Sequence, residues 1–296
     1  MALNEALRGS EIPFAENEPM ALHTTFRIGG PALLIMPGSK QQLADALALC
    51  RKAGEEPFLL GRGSNLLVSD AGIRRPVILL GEGLSAIRRE GNNLLCEAGA
   101  SLIGICRAAC EAGLGGMEWA YGIPGTLGGG IYMNAGAYGG EMKDIITDVT
   151  YIDENGEKKT AAGEELELGY RHSMFEGRNC CITGARLHLT PAPPEEIRAK
   201  MEDYMGRRRQ KQPLEYGSAG STFKRPVGNY ASALIDQCGL KGLRVGDAQV
   251  SEKHAGFIIN RGSATAADVL ALIAEVQRQV KDNTGYTLEC EVKIIE

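Results

Sequence analysis

Gly61-Arg-Gly-Ser-Asn-Leu-Leu-Val68 leaves one apolar run, Pro57–Leu60, and ends inside another. Glycines at 61 and 63 permit positive φ in the turn between two strands, and Ser64 and Asn65 add small polar groups beside it. Successive backbone N–H groups in such a turn make a concave anion nest suited to a pyrophosphate. Further along, Gly122-Ile-Pro-Gly-Thr-Leu-Gly-Gly-Gly-Ile-Tyr-Met-Asn-Ala-Gly-Ala-Tyr-Gly139 is denser in glycine still. Backbone without Cβ atoms can lie directly against a flat or phosphorylated ligand. Neither stretch contains GxxxxGK[ST] or GxGxxG, which disfavours a P-loop kinase and an ordinary Rossmann dehydrogenase. On composition alone, tight turns with no ligand remain the plain alternative.

Outward from these loops, short apolar runs alternate with amphipathic stretches. Ala32–Met36, Pro57–Leu60, Val77–Leu80 and Leu94–Glu97 read as strands. Lys40–Ala53 reads as a helix with Leu43, Leu47 and Cys50 on one face. A second helix follows Ser101 as N-cap, spaces Leu102, Ile105, Cys106 and Ala109 helically, and stops at Gly113. Strands return at Asp148–Asp153 and Ile182–Leu189. Pro191-Ala-Pro-Pro194 is the best linker, since prolines stiffen a connection and cannot continue a sheet. Glu195–Arg209 then reads as a helix with Ile197, Met201, Tyr204 and Met205 inward. Another begins near Thr265 and buries Val269, Leu270, Ile273, Val276 and Val280. At the end, Leu288, Cys290, Val292 and Ile294 alternate with Glu289, Glu291 and Lys293, the period of a strand with one polar face.

The 296 residues suffice for one large or two ordinary domains, and 44% hydrophobic with 23% charged residues is a globular composition. A net charge of −5 argues against a general nucleic-acid binder, which needs a basic field. Eight cysteines include no CxxC pair, and His23, His172, His188 and His254 fall in no metal-binding pattern. Reduced, mostly buried thiols and no metal are expected. The N-terminal stretch lacks the basic start and apolar run of a signal peptide, and no stretch approaches the ~20 apolar residues of a membrane span. The expectation is a cytoplasmic protein with no membrane or nucleic-acid partner.

His23-Thr-Thr-Phe-Arg-Ile-Gly-Gly30, Gly61–Asp70 and Gly122–Gly139 follow the order and spacing of the FAD domain of the MurB family, the UDP-N-acetylenolpyruvoylglucosamine reductases. The resemblance continues through Gly169-Tyr-Arg-His-Ser-Met-Phe175, Ser218-Ala-Gly-Ser-Thr-Phe-Lys-Arg-Pro226, Gly239-Leu-Lys-Gly242, Val250–Asn260 and Leu288–Ile295, nearly the whole chain. It implies an α+β fold. An FAD-binding domain of the vanillyl-alcohol oxidase/p-cresol methylhydroxylase type would occupy residues 1–191. A smaller α+β substrate domain would occupy 192–296, its final strand free to return to the first domain. With little room for a long insertion, the chain resembles the shorter, loop-deleted subtype. The implied activity is reduction of a UDP-sugar enolpyruvyl ether by NADPH through non-covalently bound FAD, a step of peptidoglycan synthesis. Another flavin-dependent oxidoreductase on the same fold is the alternative; it leaves Ser218–Pro226 and the C-terminal blocks unexplained.

The same resemblance implies the site. Gly61, Arg62, Gly63, Ser64, Asn65 and Leu66 would hold the cofactor, together with Gly122, Ile123, Pro124, Gly125, Thr126, Gly128, Gly129, Asn134, Gly136 and Ala137. Ser221 matches the family's proton donor, with Ser218 as rival and an ordinary turn serine as the bland reading. Arg171 matches an arginine facing the developing enolate, although surface arginines are the commonest kind. The residues alone leave Glu289 and Glu291 equal; the family's Glu-Val-basic pattern selects Glu291. Lys224 and Arg225 would add positive charge for the substrate, though some members carry asparagine at the latter position. Arg207-Arg-Arg-Gln-Lys211 reads equally well as a basic helix end. His254 is expected to be structural, and Trp119 and Tyr121 to pack. Ser232 stands where the family more often has glycine, a local cost if that position needs positive φ.

Overall fold

In the strand Asn93–Glu97, Leu94 and Cys96 are buried while the residues between them are half-buried, as period-two geometry requires. It joins an antiparallel sheet of five strands in the order Lys158–Ala162, Ile146–Ile152, Cys181–His188, Asn93–Glu97, Ile87–Glu90. A second sheet places Val77–Leu79 between Pro31–Ile35 and Phe58–Leu60, all parallel, with Phe14–Pro19 at one edge. Parallel neighbours need a crossover, and the helix Lys40–Ala53 supplies it. Ser39 caps that helix by accepting the Gln42 N–H at 3.2 Å, and Gly54, at φ 75°, ends it. Its inward face buries Leu43, Ala46, Leu47 and Cys50, each leucine contributing roughly 1.5–3 kcal/mol. The helix Leu102–Glu111 starts as expected at Ser101, which accepts the Gly104 N–H at 3.0 Å.

These elements come from a computed structural model describing residues 3–296. The chain divides into two compact units, each discontinuous in sequence. The first takes residues up to Ala15, Leu34–Arg62 and Arg75–Arg207; the second takes Glu16–Leu33, Gly63–Arg74 and Arg208–Glu296. This is not a division into residues 1–191 and 192–296. The proline stretch is no free linker, because Thr190–Pro191 pairs antiparallel with Leu114–Gly115 and Ala192 donates to the Gly113 carbonyl at 3.0 Å. Pro191 sits on a two-residue edge strand, where a missing N–H is tolerated, and the next helix, Pro194–Lys211, starts on a proline.

The second unit packs the helix Ala266–Thr284 and the short helix Ala231–Gln237 around a three-stranded antiparallel sheet, Arg244–Val245, Ala248–Val250 and Ile258–Asn260. Thr265 and Asp268 form a capping box at the start of the long helix, and the Asp70 carboxylate accepts the Ala266 and Ala267 N–H groups at 2.8 and 3.1 Å. Phe26, Leu67, Phe223, Leu234, Val250, Leu272, Val276 and Leu288 share its core. Ser232 lies inside a helix and not at positive φ, so no local cost arises.

The final segment departs from one continuous strand. Residues 289–291 run against Thr222–Lys224, with Lys224 N–H donating to Glu289 O and Glu291 N–H to Thr222 O, each at 2.8 Å. Only Lys293–Ile295 forms a regular strand, parallel to Leu66–Val68. This change of partner breaks the alternation: Leu288 and Val292 are buried, but Ile294 is 42% exposed.

All eight cysteines are free thiols, and six are buried. Burial pushes Cys50 up to about 11 and Cys96 and Cys181 to about 12, so these thiols stay protonated. Among the described residues no helix is long and apolar enough to cross a membrane, and no group of three or more His, Cys, Asp or Glu could hold a metal ion.

Candidate active site

In the first unit the long glycine stretch lies against Ala98–Leu102. Leu102 donates to Gly125 O at 3.0 Å, Leu127 to Ala100 O at 2.8 Å and Gly128 to Ala98 O at 2.9 Å. A Cβ on Gly128 would come to 3.2 Å from the Ala98 Cβ, tighter than ordinary van der Waals contact, so glycine eases the close approach. Inside the stretch Leu127–Tyr132 forms a short helix that glycine's weak propensity hid from the sequence reading. Gly61 packs on Thr126, whose hydroxyl a Cβ would strike. Gly61 therefore serves close approach; of the first loop's two glycines, only Gly63 adopts positive φ. Gly122, Ile123 and Pro124 are half-buried, Gly125 and Thr126 are buried, and Gly129 and Arg62 are exposed. Gly136 and Ala137 pair with Glu141 and Gly140 in a small hairpin. Trp119 packs as expected, donating its indole N–H to Gly116 O at 3.1 Å.

Arg171 lies at the tip of a tight turn in this unit. Gly169 and His172 exchange N–H···O bonds of 3.1 and 3.2 Å, which leaves Tyr170 and Arg171 at the corner. Arg171 is half-buried at φ 55°, with its guanidinium carbon 5.1 Å from the Tyr170 ring centroid. The buried Asn134 amide and the Ser173 hydroxyl hold the turn from below; neither restraint was visible in the sequence.

The second unit brings Ser221 and Glu291 onto adjoining segments. Gly220, at φ 78°, turns the chain into Ser221, which bridges to Phe257. The buried Thr222 organises the rest: its N–H donates to Gly256 O at 2.9 Å, its hydroxyl accepts Ile258 N–H at 3.1 Å, and its carbonyl takes the Glu291 N–H. Asn65 grips the far side, its side-chain amide donating to Glu291 O at 3.1 Å and its backbone carbonyl accepting the Lys293 N–H at 2.9 Å. Thr222 was missed, although its place beside Ser221 in the same motif was a usable signal. Leu66 opens the strand paired with Lys293–Ile295.

Near these residues the rivals separate. The Glu289 side chain is 74% exposed and 3.5 Å from Lys224 Nζ, whereas Glu291 is half-buried. Arg225 lies over the Tyr230 ring at 4.6 Å. Ser218 is tied to Thr25, its N–H donating to Thr25 O at 3.1 Å and its carbonyl accepting the Thr25 hydroxyl at 2.7 Å. His254 accepts the Gly256 N–H at 3.2 Å and meets Phe257 edge-on; burial holds its imidazole below the ordinary range. Gly63, at φ 57°, sits where a Cβ would strike the His23 carbonyl. Gly63 and Ser64 donate their backbone N–H to no group among the described residues, and such donors fit an anion nest.

Comparison with known proteins agrees along the chain. Residues 31–162 match the FAD binding domain family, and residues 212–295 match the family described as UDP-N-acetylenolpyruvoylglucosamine reductase, C-terminal domain. A UDP-N-acetylenolpyruvoylglucosamine reductase of Agathobacter rectalis is 46% identical over 96% of this chain and 95% of that protein. One from Caldanaerobacter subterraneus subsp. tengcongensis is 49% identical over 94% and 92%. The crystal structure of UDP-N-acetylenolpyruvylglucosamine reductase (MurB) from Thermus caldophilus superposes with a TM-score of 0.83 at 37% identity, covering 96% of this chain and all of that one. A variant of berberine bridge enzyme shares the fold over 65% of this chain and 44% of its own, at a TM-score of 0.50 and 20% identity. With relatives this similar along almost its entire length, the chain belongs to the UDP-N-acetylenolpyruvoylglucosamine reductase family.

Proposed function

We propose that this protein reduces the enolpyruvyl ether of UDP-N-acetylglucosamine to UDP-N-acetylmuramate with NADPH and FAD, in the cytoplasm, as a step of peptidoglycan synthesis. The observation that carries the reading is the similarity to named reductases along nearly the full length, at 46% and 49% identity, in a chain that has Arg171, Ser221 and Glu291 where the family resemblance expects them. The cofactor's fit rests on the residues present. The open N–H donors of Gly63 and Ser64 suit a pyrophosphate, and the close-packed glycine backbone around Thr126 suits a flat ring system. Bound FAD supplies the two-electron relay between NADPH and the substrate's vinyl carbon.

The chain's own side chains then manage charge and one proton. As the vinyl carbon gains hydride, negative charge spreads into the substrate carboxylate. The Arg171 guanidinium, a planar fork of N–H donors, pairs with that carboxylate. Ser221 donates its hydroxyl proton to the carbon bearing the ether oxygen. A serine hydroxyl is a weak acid, so it needs a neighbouring group that orients it and manages the proton. Glu291 fills that role, carried on a segment whose Glu291 N–H donates to the carbonyl of Thr222, the residue after Ser221. Lys224 and Arg225 add positive charge toward the substrate's anionic groups.

Anaerobic stopped-flow measurements on Ser221→Ala test the assignment. Flavin bleaching by NADPH should stay within about threefold of the parent rate, while reoxidation by the enolpyruvyl sugar nucleotide falls by roughly 10²-fold or more. Equal loss in both halves refutes the proton-donor role. NADPH consumption that runs as fast on oxygen alone as on the sugar nucleotide refutes the reductase reading itself.

A further inference from the structure

Asn134 is 1% exposed and follows the helix Leu127–Tyr132 at φ 39°. Its Nδ2 donates to Gly169 O at 2.9 Å and to Glu141 Oε2 at 2.8 Å, while its Oδ1 accepts the Lys143 N–H at 3.0 Å. A carbonyl and a carboxylate only accept, and a backbone N–H only donates, so these partners fix the amide's orientation and use both its hydrogens. Ser173 adds a second tether between the same two stretches, donating its hydroxyl to Tyr132 O at 2.8 Å. Between the tethered Gly169 and Ser173 stands Arg171, held at φ 55°. An L-residue keeps that conformation when its surroundings over-determine it, and such residues gather at functional sites.

We propose that Asn134 is a positioning residue. Its amide holds the Gly169–His172 turn so that Arg171 presents its guanidinium to the substrate carboxylate, which couples the glycine-rich stretch to the arginine. This rests on the role given to Arg171 above. A guanidinium fork depends on alignment, and a misplacement of ~1 Å can cost ~10²-fold in rate. The resemblance counts Asn134 among the cofactor's residues, but its side chain, with both amide hydrogens and its oxygen engaged by Gly169, Glu141 and Lys143, acts on the reaction through the Gly169 carbonyl. Glu141 keeps the amide aimed, and is itself paired with Lys143.

The test uses purified holoenzyme carrying Asn134→Ala, Arg171→Ala or both, with the two half-reactions measured separately. Asn134→Ala is expected to slow reoxidation by the enolpyruvyl sugar nucleotide ~10- to 100-fold and flavin reduction by NADPH less than about threefold. In the Arg171→Ala background the same change should add less than about twofold, because the positioned group is gone. Effects that multiply, a uniform slowing of both halves, or an unimpaired Asn134→Ala beside a crippled Arg171→Ala would each overturn the proposal alone. An intact second half in Arg171→Ala would instead remove the role of Arg171, and this proposal with it. Should Asn134→Ala not accumulate as folded holoenzyme, Ser173→Ala gives the same discrimination by cutting the other tether. Selective loss of the second half supports the proposal, and an unchanged or uniformly slowed pair overturns it.

Discussion

Exchange of Glu289 or Glu291 for glutamine removes one charge while keeping shape, and the two positions should respond very differently. Glu289 is 74% exposed and its partner Lys224 is 41% exposed at 3.5 Å. Exposed pairs of this kind contribute at most about 1 kcal/mol, so Glu289→Gln should change kcat/KM by less than about fivefold. Glu291 is half-buried and its backbone is clamped on both sides, by Thr222 at 2.8 Å and by Asn65 at 3.1 Å. A group held so that it can manage a proton contributes ~10²- to 10⁴-fold, or about 2.7–5.4 kcal/mol of barrier. The assay is single-turnover reoxidation of NADPH-reduced enzyme by the enolpyruvyl sugar nucleotide, with steady-state kcat and KM alongside. Glu291→Gln should lower kcat with little change in KM. If Glu289→Gln proves as damaging as Glu291→Gln, or if Glu291→Gln mainly raises KM, the assignment of the carboxylate is wrong.

Two further predictions concern the second unit. Burial keeps the folded His254 below its ordinary value, and its neutral ring accepts the Gly256 N–H. The unfolded chain, with a histidine value of about 6.5, therefore binds more protons between the two values; stability present above ~6.5 is lost as pH falls. Urea midpoints at pH 7.5 and 5.5 should show a smaller acid loss in His254→Asn, and an identical pH slope would contradict this. Asp70→Ala removes both carboxylate bonds to the start of Ala266–Thr284 and should cost about 1–2 kcal/mol in urea unfolding, with Asp70→Asn intermediate. A loss below ~0.3 kcal/mol for Asp70→Ala would show that the Thr265–Asp268 box caps the helix unaided.

Elements with local signals were legible in the chain. Lys40–Ala53 announces itself through the apolar face of Leu43, Leu47 and Cys50, and Ala266–Thr284 through the helical spacing of Val269, Ile273, Val276 and Val280 after Thr265. Elements set by distant partners were not. Leu127–Tyr132 contains three glycines in six residues and depends on carbonyls at Ala98 and Ala100 that periodicity cannot reveal. The closing strand was read too long because residues before and after Val292 pair with different stretches. The site divides the same way. The family resemblance, not the residues alone, implied Arg171, Ser221 and Glu291, whereas the side-chain bonds of Asn134 and Asn65 reach partners 35 and 226 positions away.

That last separation bears on how the protein comes to be made. Synthesis delivers Leu66–Val68 well before the strand that lies beside it, Lys293–Ile295, because Lys293 follows its partner Leu66 by 227 residues (293 − 66). Long-range parallel pairing closes slowly, since chain entropy must be lost before contacts repay it. A nascent chain therefore carries the apolar strand Leu-Leu-Val beside its glycine turn without that partner while the intervening residues are made. In that interval the protein is most exposed to wrong pairing and aggregation, and arrival of the final strand ends it.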